Sequence, residues 1–225
     1  MIVYGASMSP YVRKVLAFGA EKGLELENKP VGLGDQDPEF RAASPFGKIP
    51  GFRDPDAEGG EFAISDSTAI VMYLDAVAPE PNLVPTDPKA RARTFWWDEF
   101  GDTILMDCGR KMFFNRVVSP LFMGKPGNEA AALKAELEEL PRLLDYLEPI
   151  VPASGFLVED RITLADLAVA SPFANITRHL DVTVDADRYP RVTGYMQAIL
   201  DRPSFKTLLE KETLFLEKVR ARMPA

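Results

Sequence analysis

The sequence predicts a small α/β domain followed by an all-helical one. Three observations predict it. Strand-type and helix-type patterns alternate over residues 1–78. Residues 79–88 carry Pro79, Pro81, Pro85 and Pro88, too many prolines for regular structure, and read as a linker. Over residues 89–225 the strand patterns nearly vanish and helical spacing takes over.

In chain order, residues 1–5 form a short apolar run ending in Gly5. Residues 10–22 read as a helix, with Val12, Val15, Leu16 and Gly19 at i, i+3, i+4 and i+7 and Gly23 at the place of a C′ residue. Residues 25–31 are a second strand, and 37–43 a short helix with Pro38 in its first turn. Residues 49–52 and 61–64 are two short strands joined by a segment holding Pro55, Gly59 and Gly60, the pattern of a hairpin. Residues 67–77 are helical by Ile70, Leu74 and Val77. The expected order is β-α-β-α-β-β-α. In the second part, residues 89–118 read as one long helix with an aromatic stripe. Residues 130–147 place Leu133, Leu137, Leu140, Leu144 and Leu147 on one face, with a kink expected at Pro141. Residues 164–176, 190–200 and 204–219 are further helices.

Composition narrows the function. The chain has 225 residues, 46% hydrophobic and 27% charged, enough for a sizeable core. Its 26 basic against 34 acidic residues give a net charge of −8, the wrong balance for contacts to nucleic-acid phosphates. One cysteine, Cys108, rules out an intramolecular disulfide and a multi-cysteine metal site. One histidine, His179, rules out paired-histidine zinc motifs and leaves little room for a Ser/His/Asp triad. No apolar run approaches the roughly 18 residues of a membrane span, and the N-terminus lacks the pattern of a secretory signal. The expectation is a cytoplasmic protein with no metal, no membrane and no nucleic-acid partner.

Three segments carry chemistry. In Ser9-Pro10-Tyr11-Val12-Arg13, Pro10 suits the first helical position and Ser9 the N-cap. Ser9 either caps the helix or, beside unpaired N–H groups and the positive dipole end, donates its hydroxyl to a bound thiolate. In Phe46-Gly47-Lys48-Ile49-Pro50, Pro50 is either an ordinary edge-strand proline or a cis proline that turns the Ile49 backbone toward a ligand. In Ser65-Asp66-Ser67-Thr68, the polar cluster either caps a helix or grips an amino-acid backbone. In the second case Asp66 takes the ammonium, and Ser67 with the helix N-terminus takes the carboxylate.

These three segments, in this order, resemble the cytosolic glutathione transferases. Ile162-Thr163-Leu164-Ala165-Asp166-Leu167-Ala168 is similar to that family's capping box and buried aspartate, with Thr163 as the cap and Asp166 its N3 partner. The resemblance covers essentially the whole chain and gives it a bacterial look. It implies a thioredoxin-like domain followed by a helical domain, and a detoxifying enzyme that forms a twofold homodimer. Its substrates would be glutathione and a small electrophile; a non-catalytic ligand-binding protein of the same fold is the alternative.

Residue by residue, Ser9 matches the catalytic hydroxyl of the serine-type classes, tau, theta and delta. Lys48 matches a position that meets the glycyl carboxylate. Ile49, ahead of a cis Pro50, would pair its backbone with the cysteinyl part. Asp66 and Ser67 would hold the γ-glutamyl ammonium and carboxylate. Position 9 is not Cys, which argues against the thiol–disulfide chemistry of omega-like members. The signature of the maleylacetoacetate isomerase class is missing, and no second lysine for the glycyl end stands between residues 31 and 37. Tyr4 is the rival hydroxyl, or else packs in the sheet; Ser7 is a further substitute. Met8 and Tyr11 beside Ser9, with Trp97, Ile104 and Cys108 on one side of the long helix, are the candidates for an apolar acceptor pocket. That stripe reads equally as core or dimer seam, and Cys108 as a buried thiol. His179 is expected at the surface or at a helix end.

Overall fold

The computed structural model describes residues 1–32, 34–180 and 182–222. They divide into two compact units, Met1–Arg91 and Ala92–Ala225. The first unit runs β1 (Ile2–Tyr4), α1 (Pro10–Glu21), β2 (Glu27–Lys29), α2 (Pro38–Ala43), β3 (Gly51–Asp54), β4 (Phe62–Ser65) and α3 (Ser67–Val77). The order is the expected one. β3 begins two residues later than the pattern suggested, because Pro50 has no N–H to give a ladder and pairing starts at Gly51.

The four strands lie in the order β2-β1-β3-β4, with β1 parallel to β2 and the other pairs antiparallel. Alternation along the strands divides the side chains between two faces. On one, Val3 and Phe52 are fully buried, and the Phe52 ring lies 5.6 Å from that of Tyr73 on α3. α1 packs beside α3 and buries Val12, Val15, Leu16 and Phe18. On the other face Tyr4 packs with Phe40 and Ala43 of α2. α1 ends where the sequence indicated. Gly23 has φ +70°, a left-handed conformation that costs glycine little. Its N–H reaches the Ala20 carbonyl, and that of Leu24 reaches Gly19, the two bonds of a Schellman motif.

The proline-rich stretch is anchored to the first unit by one buried cation. The Lys22 ammonium donates to the carbonyls of Pro79 (3.2 Å) and Pro81 (3.0 Å), and pairs with Asp75 at 2.6 Å.

The helices continue with α4 (Pro88–Glu99), α5 (Met106–Phe113), α6 (Glu129–Lys134), α7 (Leu140–Leu147), α8 (Leu164–Ala174), α9 (Pro190–Leu200) and α10 (Pro203–Arg220). Wider π-helical stretches occupy Phe100–Leu105, Phe114–Phe122, Ala135–Glu139 and Asn175–His179. They correct two expectations, because a π turn rotates the next residues off the α-helical face. Leu140, Leu144 and Leu147 are buried as expected, but Leu133 and Leu137 are 43% and 67% exposed, and Ala132 and Ala135 take the core side. The wide stretch lies just ahead of Pro141, whose ring would meet the carbonyl four residues earlier in a regular helix. Trp97, Ile104 and Cys108 likewise do not share a side: Trp97 and Cys108 are buried while Ile104 is 51% exposed.

α8 is buried along its whole length and forms the centre of this unit. The capping box is present. The Asp166 carboxylate accepts from the Thr163 N–H (2.9 Å), the Thr163 hydroxyl (3.2 Å), the Leu157 N–H (2.9 Å) and the Tyr195 hydroxyl (3.4 Å). His179 is not at the surface. It is buried, with Nε2 2.8 Å from Oε2 of the equally buried Glu212. Helical winding continues to His179, and α10, far along the chain, supplies the carboxylate that covers it.

Candidate functional site

Sheet register gathers the three sequence motifs. Tyr4, the last residue of β1, pairs with Gly51, the first of β3, and Gly51 pairs with Ser65, the last of β4. The segments that leave this row are residues 5–10, 48–50 and 66–67. All three sit on one edge of the sheet, beside the N-termini of α1 and α3. Gly5 lets the first two meet: a Cβ there would lie 2.6 Å from Val12 Cγ2 and 3.0 Å from Ile49 Cβ.

Ser9 is the N-cap of α1 in an extended conformation (φ −70°, ψ 124°), with Pro10 at the first helical position. Its carbonyl accepts from the Arg13 N–H at 2.9 Å, but its hydroxyl makes no capping bond. That oxygen is therefore not spent on the helix. It stands beside the unpaired N–H groups of a twelve-residue helix, where partial positive charge collects. Met8 is buried and Tyr11 half-buried on either side, and Ser7 is half-buried in the turn before them.

The Ile49–Pro50 bond is cis. The turn that precedes it is held by the Ser44 hydroxyl, which donates to the Lys48 carbonyl at 2.6 Å, and by the Gly47 N–H, which donates to the Ser44 carbonyl at 2.8 Å. Lys48 is exposed and pairs with no carboxylate among the described residues. Asp66 is the N-cap of α3. One of its carboxylate oxygens accepts from the Ala69 N–H at 3.0 Å, leaving the other uncapped. Its φ of +91° is uncommon for a side-chain-bearing residue, and such conformations cluster at functional sites. Ser67, at the first position of α3, is buried. The arrangement offers a hydroxyl at one helix N-terminus, a carboxylate and hydroxyl at another, and a free ammonium on the adjoining turn.

Tyr4 is committed elsewhere. Its hydroxyl donates to Glu39 at 3.0 Å and accepts from Arg53 at 3.3 Å, on the α2 face of the sheet, and burial pushes its pKa up. Of the acceptor candidates, Met8 and Tyr11 belong to the first unit and Trp97, Ile104 and Cys108 to the second. The Cys108 thiol donates to the Ala135 carbonyl at 3.6 Å, and burial pushes its pKa up to about 12. It is a core thiol. Leu33, in the stretch between residues 31 and 37 that carries no second lysine, lies outside the described residues. No cluster of three or more His, Cys, Asp and Glu suited to a metal occurs among the described residues.

Three supporting residues went unread in the sequence: Gly5, Ser44 and Asn28. The Asn28 amide donates to the carbonyls of Val3 (3.1 Å) and Gly5 (2.9 Å) and so fixes the chain as it leaves β1. A glycine directly after a strand was the available signal for the first; Asn28 and Ser44 carry none without the sheet register.

A mixed four-stranded sheet with helices on both faces, a helical second unit and three ligand-type segments on one sheet edge define the two-part, thioredoxin-like class of proteins. Comparison with known proteins takes this further. The family description "Glutathione S-transferase, N-terminal domain" matches residues 3–82, and "Glutathione S-transferase, C-terminal domain" matches 111–203. The chain is 33% identical over 215 residues to a glutathione S-transferase of Hyoscyamus muticus, covering 93% of this chain and 98% of that one. It is 31% identical over 210 residues to glutathione S-transferase 3 of Zea mays, covering 91% and 90%. Among solved structures, a glutathione transferase family member from Pseudomonas fluorescens, with two glutathione bound, superposes with a TM-score of 0.74 at 25% identity, covering 93% and 92%. The chain belongs to the glutathione S-transferase family. Its fold is the glutathione transferase fold, and its activity is that of a glutathione transferase.

Proposed function

We propose that the chain is a serine-type glutathione transferase in which Ser9 holds the glutathione sulfur as a thiolate. The observation that carries this reading is the uncommitted Ser9 hydroxyl at the N-terminus of α1, on the same sheet edge as the Ile49 and Asp66 segments. Residues 1–78 bind glutathione. Lys48 meets its glycyl carboxylate, the Ile49 backbone ahead of Pro50 its cysteinyl part, and Asp66 and Ser67 its γ-glutamyl end. Residues 89–225 contribute to the acceptor side, residues 79–88 link the two, and the active form is a cytoplasmic homodimer.

The chemistry needs no protein base. A thiol with a pKa near 8.5 is only a few per cent thiolate at pH 7. Lowering it by about two pH units stabilises the anion by roughly 2.7 kcal/mol, within reach of one hydroxyl donor and a helix N-terminus together. The Asp66 carboxylate and the Lys48 ammonium hold the tripeptide so that its sulfur lies at Ser9. The thiol proton passes to water, the thiolate attacks an electrophilic carbon of an apolar acceptor, a C–S bond forms, and the bond from that carbon to its leaving group breaks, the group departing with the electron pair. Holding both reactants in place supplies much of the remaining acceleration.

The test is Ser9→Ala. Loss of a hydrogen bond to an anion worth about 1.5 to 3 kcal/mol lowers turnover of an activated aryl halide by roughly 10- to 100-fold, with glutathione affinity within about threefold. In parallel, the ultraviolet absorbance of bound thiolate titrates at a higher pH in the variant. Unchanged turnover and titration would move the role to Ser7, since the Tyr4 hydroxyl is held by Glu39 and Arg53.

A further inference from the structure

On the opposite face of the sheet from α1 lies a cluster that takes no direct part in the glutathione site. Glu39 projects from α2, and one of its carboxylate oxygens meets three strands at once. It accepts from the Tyr4 hydroxyl of β1 (3.0 Å) and the Lys29 ammonium of β2 (3.1 Å), and lies 3.4 Å from the Arg53 guanidinium of β3. Arg53 in turn donates to both oxygens of Glu61 at 2.9 Å and to the Tyr4 hydroxyl. Strand alternation and register place Tyr4, Lys29 and Arg53 on this one face. The Lys29 ammonium and the Tyr4 hydroxyl hold the Glu39 carboxyl below the ordinary carboxylate range. Glu39 is more than half exposed, so each contact alone contributes little to stability. Its effect is geometric, because one atom ties a six-residue helix across the central strands.

That helix leads directly into the ligand turn. Ser44, its C-cap, accepts the Gly47 N–H and donates to the Lys48 carbonyl, and Ile49 packs on the Tyr4–Phe40–Ala43 cluster beneath α2. Any shift of α2 therefore carries Lys48 and Ile49 with it. We propose that Glu39 is a positioning residue for glutathione: its hold on Tyr4, Lys29 and Arg53 fixes α2 and, through Ser44, sets the turn that presents Lys48 and Ile49. The inference rests on the glutathione reading of that turn.

The experiment is steady-state kinetics of the full chain with glutathione varied against a saturating activated aryl halide. A loosened turn must be re-ordered at each binding event, so Glu39→Ala raises the glutathione KM by about tenfold and leaves kcat within about twofold. Glu39→Gln keeps an acceptor for the Tyr4 hydroxyl and recovers part of the loss. Lys48→Ala raises KM as well, and the Glu39→Ala/Lys48→Ala double variant is clearly less than additive, because the turn's main contact is already gone. A folded Glu39→Ala protein with KM within twofold of the parent overturns the proposal, as does a fall in kcat at constant KM or full additivity in the cycle. If Glu39→Ala does not fold, an unchanged KM in Glu39→Gln overturns it equally. Should Lys48→Ala leave KM unchanged, the glutathione reading of the turn fails and this proposal with it. Should Lys48→Ala raise KM while both Glu39 variants do not, only the positioning role fails.

Discussion

Removing the Lys22 ammonium tests how the proline-rich stretch is held. The side chain is fully buried, while its partner Asp75 keeps 18% of its side-chain surface. Lys22→Met keeps an unbranched apolar side chain but removes the ammonium, which lies 5.4 Å from the centre of the Phe18 ring, and leaves a carboxylate and two carbonyls without their donor. Breaking a buried pair by deleting one member costs about 3 to 5 kcal/mol. Solvent can still reach Asp75, so the lower end applies, about 3 kcal/mol. In a chain of this size each kcal/mol lowers Tm by about 2 to 4 °C, which gives a drop of about 6 to 12 °C. Urea unfolding followed by far-ultraviolet circular dichroism reads the loss. Asp75→Asn added to Lys22→Met then costs little further, since it removes the stranded charge. A Lys22→Met loss below about 1 kcal/mol, the range of an exposed pair, would refute the reasoning.

Burial raises the Asp166 carboxyl from its ordinary 3.8 to about 6, against the lowering effect of its four hydrogen bonds. The folded chain then holds a proton that the unfolded chain has released, so this group's contribution is present below pH 3.8 and is lost as pH rises through about 6, a change of about 3 kcal/mol. The stability difference between the parent and Asp166→Asn, from urea unfolding at pH 4 and pH 7, therefore shifts against the parent as pH rises; a difference that is constant or moves in its favour contradicts the assignment. Cys108, with its thiol pushed up to about 12, reacts with an aromatic disulfide at pH 7 more than about a hundredfold slower in the native protein than in urea. Rapid stoichiometric reaction of the native protein would show that the thiol is accessible.

Local chemistry was legible in the sequence. Pro10 and Pro38 announce helix starts because the first turn needs no N–H from them, and Gly23 announces a helix end. The three candidate segments stood out for the same reason: Ser-Pro, Ile-Pro and Asp-Ser are turn and cap chemistry. Their convergence was not legible in the residues themselves and came only with the family resemblance, because it depends on the pairing of Tyr4 with Gly51 and of Gly51 with Ser65, a long-range register. Long-range partners also supply what the local pattern left open. His179 is buried by Glu212, 33 positions away, and the Tyr4 hydroxyl is occupied by Glu39, 35 positions away. Leu133, Leu137 and Ile104 were misassigned because a constant 3.6-residue period was assumed where the backbone widens.

The widened turns also bear on how this chain can change length. Each works as a phase adjuster. The angle at which α5, α7 and the segment bearing His179 meet their neighbours depends on the residue count upstream, since every residue added or dropped swings the downstream side chains by about 100°. Point substitutions on the exposed side of these stretches leave that phase alone. A one-residue insertion or deletion at the same solvent-facing places turns Cys108 and Met112, or Leu140 and Leu144, out of the interior. Variation in length is therefore better tolerated in the connections between helices than within them.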